Sequence, residues 1–150
     1  MKKFAFQLER VLNYKQQVED SLRSQHGQKV KQVRDKEKDI EALEDRYEDM
    51  RRRMMQTGSE SVPIATLRFQ GQYMDSLVHQ INEEQRRLRA LEEQEEELRN
   101  QVVDAKKETS SLELLKEKKK KEYSQAAAKA EEQEIEEFVS NRTNAVGLAG

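Results

Sequence analysis

A chain of 150 residues that is 39% charged, 34% hydrophobic and 5% aromatic, with one proline, no cysteine and no tryptophan, has little to bury. Ordinary globular domains are about 45–50% apolar and about 25% charged, so a compact single core of this length is excluded by supply. The net charge of −2 removes any global pull toward nucleic acid or anionic lipid.

Alanine, lysine, arginine, glutamate and leucine make up half of the chain, which is the composition of long helices and coiled coils. The first predicted element is a helix over about residues 5–56. A 4-3 spacing runs through it from Leu8, Leu12, Lys15, Glu19, Leu22, His26 and Lys29 to Val33, Lys36, Ile40, Leu43, Tyr47, Met50 and Met54. That is the seam of a coiled coil, interrupted by polar residues in its middle. The stretch from Gln56 to Pro63 then gathers the only proline, Gly58 and small polar residues, and reads as a turn over about 57–63. Glycine suits the end of the first helix, and proline suits the first turn of the next, where its missing N–H costs nothing.

The second predicted helix covers about residues 64–138 and keeps one unbroken register from Leu67 through Leu77, Leu91, Val102 and Leu112 to Tyr123 and Ala130. A strict period of seven sustained so far implies left-handed supercoiling around another helix. The short connection makes the first helix the natural partner, so the fold expected is all-α: two long helices in an antiparallel two-stranded coiled-coil hairpin. At about 1.5 Å per residue the helices would run roughly 75 Å and 110 Å, so the second overhangs. Pairing Leu43 with Ile81, Leu22 with Val102 and Leu12 with Leu112 also matches Lys29 with Glu95. Such charged seam pairs fix register more than they stabilise. In this register the paired part ends near residue 120, Tyr123 to about Phe138 has no helical partner, and residues 140–150 form a flexible tail. The hairpin closes within one chain, so a monomer is expected.

Cysteine is absent, which excludes a disulfide framework and a thiolate site and fits a reducing compartment. No apolar run approaches the roughly 18 residues of a bilayer span, and the opening lacks the apolar stretch of a signal peptide. A soluble, unprocessed, cytoplasmic protein is expected. His26 and His79 fall far apart along the hairpin and cannot share a metal. The acidic run Glu92 to Glu97 projects in all directions from a helix and reads as a solvated face. Neither a phosphate loop nor a nucleophile motif is present, so no cofactor, small-molecule substrate or enzymatic activity is expected. Lys116 to Lys121 reads as a solvated face with aliphatic stems over apolar surface or as a docking face for an acidic protein surface, with nucleic acid or membrane a weaker third reading because aromatic interleaving is lacking and the flanks are acidic. Phe69 and Tyr73, four residues apart beside the seam, form an exposed aromatic stripe that reads either as a partner-binding face or as packing across the seam shoulder.

The opening Phe4-x-Phe6-x-Leu8-Glu9-x-Val11-Leu12-x-Tyr14, followed by Glu19, resembles the start of the bacterial flagellar FliJ family. Leu67-x5-Tyr73-x3-Leu77-x3-Ile81, and Leu112-Glu113-x-Leu115-Lys116-Glu117 with Tyr123, are similar to that family's second helix. The resemblance implies a non-enzymatic, stalk-like component of the flagellar type III export apparatus. It would sit in the cytoplasm, peripherally associated with the cell membrane at the flagellar base. The partners it implies are the hexameric export ATPase FliI, the cytoplasmic domain of the export gate protein FlhA, and export chaperones. On matching positions, Phe6, Leu8, Val11, Leu12, Leu115, Lys116, Lys119 and Tyr123 would belong to the ATPase end. Leu43, Tyr47, Phe69, Tyr73 and Leu77 would belong to the gate-facing region. From periodicity alone the same chain also fits a homodimeric spacer or scaffold, or the stalk of a virulence secretion system or rotary ATPase.

Overall fold

The structure, a computed structural model, describes residues 2–57 and 62–149. It contains two helices, α1 (Glu9–Thr57) and α2 (Ile64–Ala149), of 49 and 86 residues, and no strand among the described residues. They pack against each other as a helical hairpin, the all-α class that the seam spacing predicts. Residues 58–61, including Gly58, on which the expected turn falls, lie outside the described residues. The Pro63 carbonyl accepts from the amides of Thr66 (3.0 Å) and Leu67 (3.3 Å), which closes the first turn of α2.

Two boundaries differ from those the sequence suggests. The first helix begins at Glu9 rather than near residue 5, because Phe4, Phe6 and Leu8 alternate with Lys3, Ala5 and Gln7 at a period of two, the pattern of extended chain. The Leu8 carbonyl accepts from the Leu12 amide at 2.8 Å, and Glu9 places a negative charge in the first turn, where the helix dipole favours it. The second helix does not stop near 138 with a tail after 140. It continues to Ala149, since nothing between Phe138 and Gly147 carries a proline or a turn-forming pair.

The chain divides into two compact units. Unit 2 comprises Asp20–Val103. In it every seam residue from Leu22 to Met54 and from Gln70 to Val102 is buried or half-buried, with Ile40 (6% exposed) and Leu77 (2%) at its core. The helices run antiparallel there, as the pairs His26–Glu95 and Lys36–Glu84 require. Unit 1 comprises Met1–Glu19 and Asp104–Gly150, and its core is Leu12 (3%) and Ala105 (8%) with Glu19 and Thr109.

Candidate functional site

The N-terminal segment 2–8 and α2 meet within unit 1. Extended chain presents alternate residues to one side, so Phe4 and Phe6 are half-buried while Lys3, Ala5 and Gln7 are exposed. The Phe4 ring lies 5.6 Å from the Tyr123 ring, tilted by 51°, a favoured aromatic geometry. The Tyr123 hydroxyl donates to the Lys2 carbonyl, which ties the segment to α2 at its outer end. Beneath it opens a cleft of about 450 Å³ with apolar walls from Phe4, Phe6, Leu8, Leu115 and Tyr123 and cationic edges from Lys2, Lys3 and Lys119.

Five of the eight residues expected at an ATPase-binding end, Phe6, Leu8, Leu115, Lys119 and Tyr123, line this cleft together. Val11 is exposed nearby in sequence, at 42%. Lys116 instead ion-pairs with Glu9 at 2.9 Å and steadies the start of α1. Leu12 is 3% exposed, so its side chain holds the hairpin and has no surface to offer. The expectation that Tyr123 onward lacks a helical partner needs one amendment: Tyr123 is half-covered by the non-helical N-terminal segment. Phe4, Lys2 and Lys3 were not among the expected site residues. The Phe-x-Phe-x-Leu alternation is the signal for them, since it marks an extended segment whose apolar side must lie on something.

Of the residues expected in a gate-facing region, all in unit 2, Phe69 is 72% exposed and Tyr73 38%, so the aromatic stripe stands open. Ile64 (76%) and Leu67 (40%) are exposed on the same stretch of α2. Leu43 and Tyr47 are half-buried in the seam, and Leu77 is a core residue.

The electrostatics of both units are those of a seam rather than of catalysis. In unit 2, Lys36 Nζ donates to Glu84 at 2.6 Å, and this bond, with Arg87 beside it, holds the Glu84 carboxyl below its ordinary range. Arg99 and then His26 do the same to Glu95, whose Oε1 lies 2.8 Å from His26 Nε2. Lys29 donates to Gln94 at 2.9 Å, so the expected match of Lys29 with Glu95 gives way to His26. His79 is exposed. In unit 1, hydrogen bonding to Glu108 raises the Lys15 pKa, with the two groups 2.8 Å apart. Among the described residues no group of three or more His, Cys, Asp or Glu side chains is placed to hold a metal ion. No described helix is long and apolar enough to cross a membrane.

Such an arrangement can bind protein surface: an apolar cleft with cationic edges in unit 1 and an open aromatic stripe in unit 2. Neither a curated protein nor a solved structure matches the chain. The family model described as Flagellar FliJ protein matches residues 4–147, nearly the whole length, which takes in both helices, the Phe-x-Phe opening and the exposed stripe. The chain therefore belongs to the flagellar FliJ family, a non-enzymatic component of the flagellar export apparatus.

Proposed function

We propose that this chain is a stalk-like protein of the export apparatus that binds the hexameric export ATPase FliI through the cleft end of unit 1. In the same reading the Phe69 and Tyr73 stripe of unit 2 contacts the cytoplasmic domain of the export gate protein FlhA. Export chaperones are further partners, and the protein acts in the cytoplasm at the membrane face of the flagellar base. The observation that carries the ATPase contact is the cleft itself. Its walls combine Phe6, Leu8 and Leu115 with Lys2, Lys3 and Lys119, and such an apolar centre with a charged rim is the anatomy of a protein interface. Burial of an anchor residue would supply affinity, while the lysines would steer an acidic partner and set the rate of encounter.

Pull-down of the purified export ATPase tests this reading. The full chain is expected to retain the ATPase, and removal of the residues after about 120 to abolish retention, because that cut deletes Tyr123 and frees the N-terminal segment. Leu8→Asp combined with Lys119→Glu alters two exposed positions and leaves the core intact, so it is expected to weaken retention with helicity unchanged. Undiminished binding by both variants would refute the proposal.

A further inference from the structure

The part of α2 that lies in unit 1 carries a second stripe, separate from the hairpin seam. Leu114, Lys121, Ala128, Ile135 and Arg142 recur at every seventh residue, with Phe138, Val139 and Val146 beside that line. At 100° per residue the stripe lies roughly 140° around the helix from the seam line through Leu112, Lys116 and Tyr123. Its apolar members are open: Leu114 is 71% exposed, Ile135 58%, Phe138 66%, Val139 55% and Val146 67%. A seven-residue repeat keeps one face turned toward a neighbouring helix, and no described residue of this chain covers this one.

Charge along the stripe identifies the neighbour. Five lysines and one glutamate occupy residues 116–121, three alanines occupy 126–128, and five glutamates occupy 131–137. The lysine and glutamate blocks lie at nearly equal distances on either side of the alanines. Within one rigid helix their centres are roughly 23 Å apart and cannot meet. A second copy laid antiparallel across the first brings them together twice.

We propose that two copies of this chain pair through this outer face of α2, antiparallel, with a two-fold axis at Ala128. Lys118, Lys120 and Lys121, which lie on the stripe or its flanks, then face the partner's glutamate block, and residue i meets residue j twice, as a two-fold interface requires. Alanine at the axis lets the two backbones come close. Leu114 falls opposite Arg142, Lys118 opposite Phe138, and Lys121 opposite Ile135, where aliphatic lysine stems cover the apolar side chains and leave their ammonium groups to the glutamates. A parallel pair would set lysine on lysine and glutamate on glutamate, so charge selects the orientation. The interface is narrow and charge-dependent, which makes the pairing concentration-dependent and sensitive to salt. It does not rest on the ATPase-binding reading, since it uses the face of α2 that the cleft leaves free.

Sedimentation equilibrium of the full chain tests the pairing. The apparent mass is expected to rise from 17.7 kDa at low concentration toward twice that value at high concentration and low salt. Two triple variants at exposed positions, Lys118→Glu/Lys120→Glu/Lys121→Glu and Glu132→Lys/Glu134→Lys/Glu136→Lys, are each expected to weaken self-association by about ten-fold or more. An equimolar mixture of the two restores it, because each then meets its opposite charge. Orientation is read by cross-linking, which the absence of native cysteine makes clean. Lys121→Cys mixed with Ile135→Cys is expected to form a disulfide readily, and Lys121→Cys alone to form none. A chain that stays at single mass at every concentration, charge variants that associate like the parent, or ready cross-linking of Lys121→Cys with itself would each overturn the proposal.

Discussion

Units 1 and 2 build the same kind of seam from different materials. In unit 1, α2 contributes the small residues Ala105 and Thr109, and α1 buries Leu12 and Glu19 to 3% and 7% exposure. In unit 2 the seam carries Lys36, His26, Glu84 and Glu95, and only Ile40 and Leu77 fall below a tenth exposed. Small side chains let two helices approach and shut water out. Long polar ones hold the helices with their stems and keep their charged ends near solvent. Polar pairs specify alignment in both units, Lys15–Glu108 and Lys116–Glu9 in unit 1 and His26–Glu95 and Lys36–Glu84 in unit 2; what differs is that unit 1 adds small buried side chains between them.

Substitution at the packed points should separate the two regimes most widely. Leu77→Ala is expected to cost about 2–4 kcal/mol, and Leu77→Asp more, because a carboxylate at that position is buried without a partner. Urea unfolding followed by circular dichroism measures both, and a loss below about 1 kcal/mol would mean that Leu77 is not core. Overfilling comes next. Ala105→Leu in unit 1 should cost about 1–3 kcal/mol, whereas replacing Lys36 and Glu84 together by leucine in unit 2 should be neutral or stabilising. Equal losses in the two units would erase the contrast.

Thr109 sharpens the picture of unit 1: it is 3% exposed and its hydroxyl oxygen has no hydrogen-bond partner among the described residues. Thr109→Val keeps the shape, removes the orphaned hydroxyl and should raise stability by about 1 kcal/mol in the same unfolding assay.

Acid should act on unit 2 through Glu84 and Glu95. Both carboxyls titrate below their ordinary value of 4.5 in the folded chain, so below that value the unfolded state binds more protons than the folded one. Their stabilising contribution is present above 4.5 and is lost as pH falls through the lowered folded values. Thermal unfolding between pH 6 and 3, as rough bounds, should show a declining midpoint that Glu84→Gln partly flattens. The smallest effect is expected at the open stripe: Tyr73→Ala should leave the unfolding midpoint within about 0.5 kcal/mol of the parent while weakening capture of the export gate domain. A large loss of helicity would move Tyr73 into the core.

Much of this was legible beforehand. Every residue of the 3-4 spacing from Leu22 to Met54 and from Gln70 to Val102 is buried or half-buried in unit 2, with a few shoulder positions such as Val30 and Gln85 half-buried beside it, because a helix has one period and burial must follow it. The cleft was legible in part. Position along the seam brings Phe6, Leu8, Leu115, Lys119 and Tyr123 to one end, whereas the extended form of the N-terminal segment shows only in its period-two alternation, which is too short to outweigh the helical spacing that follows it. Pair partners were legible least. A lysine stem reaches any acceptor within a turn, so spacing along the seam does not choose between Glu95 and Gln94 for Lys29.

Composition and periodicity by themselves determined two long helices and their buried faces, since charge content limits what can be buried and the heptad fixes which face is hidden. The tertiary structure decided where α1 begins, that Tyr123 is covered by Phe4 rather than left bare, and that Glu95 binds His26 and Arg99. Those outcomes depend on which atoms meet across two surfaces. Separation in space between residues far apart in the chain is not encoded in any local pattern.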